Sequence, residues 1–298
     1  MIQEPLFRPD SEWVPPLDFP DLSEHKQICI DLETQDPHLK ERGSGWPRTD
    51  GKVVGIAVAT DQDAYYFPIG HQSGGNLDAS VVWKWLKSQM KHSSDKVFHN
   101  AQYDLGWMRK SGVTEINGRI IDTLIAAPLI DENRMSYALN SLGKTYLKER
   151  KDEKLLEEAA KQWGVNAKSD LWRLPPQYVG PYAEQDARLT LRLWNHFKTI
   201  IIQENLKDIF QLEMDLLPCL LDMREKGVPV DLRKAEILKK DLERREGKII
   251  KEIKRQYGVE VEIWAAASVA KAFEAAGLSY ERTPKYNQPK FDKASLWE

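Results

Sequence analysis

Gln27-Ile28-Cys29-Ile30-Asp31-Leu32-Glu33-Thr34 begins apolar and ends acidic. The apolar residues of 27–32 predict a short strand. Residues two apart in a strand project from the same side, so Asp31 and Glu33 share a face at its end. Side-by-side carboxylates repel one another unless a cation sits between them. Hard oxygen ligands suit Mg²⁺ or Mn²⁺. A solvated acid pair would explain this tripeptide equally well, and Asp241-Leu242-Glu243 repeats it in a charged stretch with no apolar strand ahead.

Four more strands are predicted around this one, at Lys52–Thr60, Tyr65–Ile69, Val97–Asn100 and Gly118–Ile121. Helical spacing marks Leu77–Met90, Ala101–Lys110, the apolar residues up to Leu129, and Tyr182 to Ile202. Three strands in succession, then strands alternating with helices, predict an α/β mixed sheet flanked by helices. Glu41–Gly51, with Gly43, Gly45 and Pro47, reads as a mobile excursion near the first strand. A smaller helical segment follows: Ile209–Met223 with a kink or helix start at Pro218, a break at Gly227–Asp231, a long charged helix to Gln256, and Ser268–Ala276 ended by Gly277.

With 298 residues the chain exceeds what one core comfortably serves, so two domains are expected, 1–205 and 206–298. Charge supports the division. Residues 1–205 hold 25 Lys+Arg against 29 Asp+Glu, and residues 206–298 hold 18 against 17. The net charge of −3 gives no global case for nucleic acid, but Leu232–Tyr257 carries ten basic and five acidic side chains. Apolar runs such as Val53–Ala59 are too short to span a bilayer, and the N-terminus lacks a signal-peptide layout, so a cytoplasmic protein is expected. Two cysteines, Cys29 and Cys219, give no disulfide framework.

Two further acidic motifs stand out. In Val97-Phe98-His99-Asn100-Ala101-Gln102-Tyr103-Asp104 a strand runs into a helix, and Asn100 and Asp104 are four apart. An N-cap and a first-turn acid would account for them structurally. In Tyr182-Ala183-Glu184-Gln185-Asp186 the tyrosine and aspartate share a helix face, and small alanines flank them. Four carboxylates meeting without a cation would be strongly unfavourable. Two divalent ions roughly 3.5–4 Å apart would turn them into a clamp for phosphodiester cleavage.

With these three motifs the chain resembles the DEDD 3′–5′ exonuclease superfamily in its tyrosine-bearing branch, which has a ribonuclease H-like fold. More specifically, about residues 20–205 resemble the proofreading exonuclease domain of family-A, DNA polymerase I-like polymerases. Asp122-Thr123-Leu124 and Leu171-Trp172-Arg173-Leu174-Pro175 extend the match, and Gly51–Ala59 and Tyr66–His71 look most like bacteriophage versions. Leu212–Asp231 and Glu281–Pro289 resemble the start of the polymerase module and its thumb. The palm and fingers have no counterpart up to residue 298, so nucleotide addition is not expected. No 5′-nuclease domain fits before residue 20.

The resemblance implies residue roles. Asp31 bridges two divalent ions, Mg²⁺ or Mn²⁺. Glu33 and Asp186 complete the first site, and Asp104 holds the second. Tyr182 and Glu33 orient the attacking water, and a 5′-mononucleotide leaves. Thr34 touches the terminal 3′-hydroxyl, while Asn100 and Tyr103 contact the last nucleotides. The implied partners are a single-stranded DNA 3′ end or a primer-template duplex, with a separate polymerase chain or replication proteins, and no membrane. The alternatives are a ribonuclease D-like exoribonuclease and a non-catalytic DNA-binding subunit of a split polymerase.

Overall fold

Alternating apolar residues bring five strands into one sheet in the computed structural model, which describes residues 5, 8–292 and 294. The strands are β1 (Gln27–Gln35), β2 (Lys52–Ala59), β3 (Ala64–Pro68), β4 (Asp95–Phe98) and β5 (Ile120–Asp122). Their order is β3-β2-β1-β4-β5. β1, β2 and β3 form an antiparallel meander, whereas β1, β4 and β5 run parallel. Helices α1 (Leu39–Arg42), α2 (Ala79–Met90), α3 (Ala101–Lys110), α4 (Thr123–Ile130), α5 (Leu139–Leu142), α6 (Lys154–Trp163), α7 (Pro176–Gln203) and α8 (Lys207–Lys226) complete a first unit that ends at Gly227. This is the expected ribonuclease H-like mixed sheet flanked by helices.

β1 separates two cores. Ile28, Ile30 and Leu32 pack with Phe67, Leu86, Leu105 and Met108. Cys29 packs on the opposite side with Ala57, Tyr66, Ala183 and Ala187. The two-residue period therefore assigns Asp31 and Glu33 to the face covered by α7. A bulge between Glu33 and Thr34 breaks the register there: Glu33 pairs with Gly55, but Thr34 pairs with Val53. Such bulges re-aim side chains at the end of a strand.

Helix α7 starts at Pro176, six residues before the predicted Tyr182, and runs through Pro181. Proline cannot donate to the carbonyl four residues back, which here belongs to Gln177. The Ser11 hydroxyl donates to that carbonyl instead, at 2.8 Å. The N-terminal segment is tied on further: Trp13 Nε1 donates to Glu184 at 2.9 Å, and the Tyr178 hydroxyl to the Pro9 carbonyl at 3.0 Å. Pro218 produces no helix start either, because α8 is continuous from Lys207 to Lys226. Pro218 lies on an exposed face of α8. The Glu41–Gly51 excursion is pinned by Trp46, which is fully buried. A Cβ at position 106 would stand 2.2 Å from the Trp46 ring, so Gly106 is what lets the indole lie against α3. Helix α8 falls within the first unit, so the structural division lies at Gly227–Val228.

The second unit contains α9 (Leu232–Tyr257) and α10 (Ala266–Ala275). Asp231 caps α9 by accepting from the Lys234 amide at 3.0 Å. Phe291 packs against Phe273 and Tyr280 with ring centres 4.9 and 5.3 Å away.

Candidate active site

The acids of the three motifs come from three elements: Asp31 and Glu33 from β1, Asp104 from the first turn of α3, and Asp186 from α7 one turn after Tyr182. Asp104 is 3% exposed and Asp186 7%. Asp104 Oδ1 accepts the Leu32 amide at 3.0 Å, which ties α3 to the end of β1. Asp122 fixes where α3 begins. Its two oxygens accept the Asn100 and Ala101 amides at 2.9 and 2.7 Å, and Oδ1 also caps α4 through the Leu124 amide at 2.8 Å. Asn100 itself is left-handed, with φ 78°, and makes no side-chain cap. The cap is therefore supplied from β5, and the Asn100 side chain lines a cleft instead.

Burial makes this pocket unfavourable for bare carboxylates. Asp31 is pushed up to about 7 by burial and then by the charge of Asp186, with Lys151 pulling the other way. Burial, then Asp31 and Asp186, holds Glu33 well above the carboxylate range. Burial and Asp31 likewise raise Asp104, against the Leu32 hydrogen bond. Asp186 is raised by burial and opposed by Lys151. Burial followed by Glu33, Asp186 and Asp31 drives the Tyr182 phenol far up, so it stays protonated.

Lys151 supplies the positive charge that Asp31, Glu33 and Asp186 share. Its ammonium bonds Asp186 Oδ2, donates to the Tyr182 hydroxyl at 3.1 Å, and lies 4.3 Å from the centre of that ring. Among the described residues, no three His, Cys, Asp or Glu side chains form a ready-made metal cage. The donor set nevertheless suits a divalent cation. It consists of hard oxygens whose mutual repulsion only a cation relieves, it has drawn in an ammonium, and Asp186 Oδ1 is buried without a partner.

Beside Glu33 opens a cleft of about 910 Å³. Thr34, Asn100 and Tyr103 line it, together with Lys40, Lys168 and Trp172. The Thr34 and Tyr103 hydroxyls lie 2.6 Å apart, and Tyr103 also donates to Asp36 at 3.2 Å.

A family model described as 3′–5′ exonuclease matches residues 19–202. The chain belongs to the 3′–5′ exonuclease family of DNA polymerase I-like enzymes. A DNA-directed DNA polymerase of Pseudomonas phage M6 is 32% identical over 99% of this chain and 46% of its own length. The chain thus spans about half the length of the curated relatives it matches. Among solved structures, the POL domain of Pol1 from M. smegmatis, in complex with DNA primer-template and dNTP, superposes over 92% of this chain and 42% of its own, with TM-score 0.64 and 16% identity. Brucella melitensis NrnC with bound Mg²⁺ covers 70% of this chain and 90% of its own, with TM-score 0.50 and 15% identity. These two likenesses support the fold.

Residues 19–202 are thus a 3′–5′ exonuclease domain by family. No helix among the described residues is long and apolar enough to cross a membrane. Its structure brings Asp31, Glu33, Asp104, Asp186 and Tyr182 to one pocket and Thr34, Asn100 and Tyr103 to the adjoining cleft. Lys151, Asp122 and Trp172 acquire positions that their sequence context did not single out as functional. Lys151 sits in Glu149-Arg150-Lys151-Asp152-Glu153, a charged run that reads as solvated. Asp122 and Trp172 fall in stretches that extend the family match, with no role attached to either residue.

Proposed function

We propose that the chain is a metal-dependent 3′–5′ exodeoxyribonuclease that removes nucleotides from DNA 3′ ends as the proofreading part or subunit of a family-A polymerase. The observation that carries this reading is the convergence of four acids beside Tyr182, with a cleft opening next to Glu33. In it, Asp31, Glu33 and Asp186 would hold one divalent ion, and Asp31 and Asp104 a second. Bound Mg²⁺ or Mn²⁺ supplies charge neutralisation and lowers the pKa of water.

The chain's own groups do the rest. The protonated Tyr182 hydroxyl and the Glu33 carboxylate orient the water for in-line attack. The Thr34–Tyr103 hydroxyl pair receives the terminal 3′-hydroxyl and ribose. Tyr103 and Trp172 offer aromatic surface to bases, a contact indifferent to base identity. Lys40 and Lys168 face the backbone phosphates. Helix α9, in the segment resembling a polymerase thumb, tracks duplex phosphates. Phage polymerase relatives support DNA as the substrate, replication proteins or a polymerase chain as partners, and the host cytoplasm as the place of action.

The deciding experiment compares a 3′-labelled DNA strand with an RNA of the same sequence, with and without Mg²⁺. Asp31→Ala should lower the DNA rate about 10³-fold or more. Trimming by Asp31→Ala at the wild-type rate, or trimming that persists in chelator, would refute the assignment. Preference for RNA would refute the substrate.

A further inference from the structure

Residues 148–153 form a strap laid against α7 between a helical turn at Gly143–Leu147 and α6. Three contacts along the strap fasten it. Glu149 pairs with Arg192, the Lys151 amide donates to Asn140 Oδ1 at 3.3 Å, and the Asp152 amide donates to Gln185 Oε1 at 2.9 Å. These contacts aim the Lys151 side chain into the acid pocket, where it is only 7% exposed. There its ammonium occupies Asp186 Oδ2, reaches the Tyr182 hydroxyl at 3.1 Å, and stands 3.7 Å from Glu153.

Two features set this lysine apart from an ordinary buried ion pair. First, it fills only half of its carboxylate: Asp186 Oδ1 is buried with no hydrogen-bond partner. A pair built solely for stability would satisfy both oxygens. Second, the acids come from a strand and two helices, whereas the ammonium comes from a loop on a flexible four-carbon stem. The stem can withdraw without moving α7. The ammonium already holds Asp186 Oδ2, so a divalent ion that takes this oxygen competes with it directly.

We propose that Lys151 is a positioning residue that holds Asp186 and Tyr182 in register in the metal-free chain, and that a divalent cation must displace its ammonium from Asp186 in order to bind. The inference rests on the reading of Asp186 as a metal ligand. By linkage, whatever the lysine contributes to the metal-free pocket it subtracts from metal affinity. Lys151 thereby sets the metal concentration at which the pocket loads.

The test is a titration of the full chain with Mn²⁺ alone, followed by the electron paramagnetic resonance signal of the free ion at one fixed pH. A charge-assisted hydrogen bond relinquished on binding predicts that Lys151→Gln binds Mn²⁺ about tenfold more tightly than the wild type. Equal or weaker binding by Lys151→Gln overturns the proposal while leaving the metal site standing. Absence of Mn²⁺ binding by the wild type, or undiminished binding by Asp186→Asn, instead overturns the underlying metal reading. A crystal structure of the wild-type chain with Mn²⁺ tests the same point without a variant. The Lys151 ammonium should then lie beyond hydrogen-bond distance of Asp186, and an intact contact beside a bound ion would refute displacement.

Discussion

Replacing Asp122 should damage both the fold and the site, because this one carboxylate organises the start of two helices. It is 2% exposed and accepts three backbone amides, from Asn100, Ala101 and Leu124, at 2.7–2.9 Å. Asp122→Ala leaves those donors without their acceptor at a buried junction. Each buried amide that loses its partner costs about 1–3 kcal/mol. Removing the desolvation that raises Asp122's own pKa returns part of this. The net loss should be about 4 kcal/mol, a large share of a typical stability of about 5–15 kcal/mol. Asp122→Asn keeps one acceptor oxygen and turns an NH₂ group toward the third amide, so about 1–3 kcal/mol is expected. Urea unfolding measures both. The consequence for function follows from position, since Tyr103 and Asp104 lie on the first turn that Asp122 anchors. At temperatures where Asp122→Asn remains folded, its cleavage rate should still fall by about tenfold, the effect of a small misplacement of catalytic groups. Unfolding of Asp122→Ala within about 1 kcal/mol of the wild type would refute the capping argument.

Tyr182→Phe removes an orienting hydroxyl but no carboxylate, so the single-turnover rate should fall about 10–10²-fold while Mn²⁺ affinity falls little; a rate equal to the wild type would remove Tyr182 from water positioning. His71 is buried, donates from Nδ1 to the Leu174 carbonyl at 2.9 Å and accepts the Tyr66 hydroxyl at 2.6 Å, and burial lowers its pKa to about 4. Its stabilising share is therefore complete above the ordinary value near 6.5 and drains away as pH falls toward 4, by about 3 kcal/mol. His71→Gln should flatten that part of the stability profile, and His99, also lowered to about 4, should keep the remainder; an unchanged slope in His71→Gln would exclude this source. Reversing Lys239, Lys240, Arg244 and Arg245 on α9 to Glu should weaken binding to duplex DNA and reduce its salt dependence by about one logarithmic unit of slope per lost phosphate contact. Equal affinity at low salt would argue against a phosphate-tracking α9.

The residues whose placement was legible are those whose local pattern and chemistry agree. Ile28, Ile30 and Leu32 alternate with Cys29, Asp31 and Glu33, and the same alternation that predicts β1 predicts that its acids share a face. Asp104 was legible from its place four residues after Asn100 where a strand runs into a helix, and Asp186 from its place four after Tyr182 on one helix face. What stayed hidden depends on partners distant in sequence. The start of α7 ahead of Pro181 requires Ser11, some 166 residues away, to take the Gln177 carbonyl. Trp46 looks like part of a Gly-rich loop until Gly106 provides the surface for its ring. Helix α6 was missed because Lys154–Trp163 adjoins an acidic and basic run that masks its apolar stripe of Leu156, Ala159, Ala160 and Trp163. Lys151 was invisible for the same reason: in a run of charges nothing marks the one that turns inward.

The contrast between β1 and the strap explains how a site so costly in charge remains compatible with a folded core. On β1, one side chain of each pair is locked by apolar packing, with Ile28, Ile30 and Leu32 all under 7% exposed. Asp31 and Glu33 therefore cannot retreat from their mutual repulsion without unseating the sheet. The bulge after Glu33 releases the strand at that point, so that Thr34 and Gln35 serve the cleft wall instead of extending the acidic row. The compensating cations cannot be equally rigid. A fixed ammonium between the acids would neutralise them permanently and bar the divalent ion that the chemistry requires. Lys151, whose charge reaches the acids, comes from the strap, while Lys40, Lys168 and Arg173, which line the adjoining cleft, come from α1, the loop after α6 and a short turn at Leu171–Arg173. Such segments adjust at far smaller cost than a central strand. Rigid acids and adjustable bases are thus the arrangement expected of a pocket that must survive without metal and still admit it.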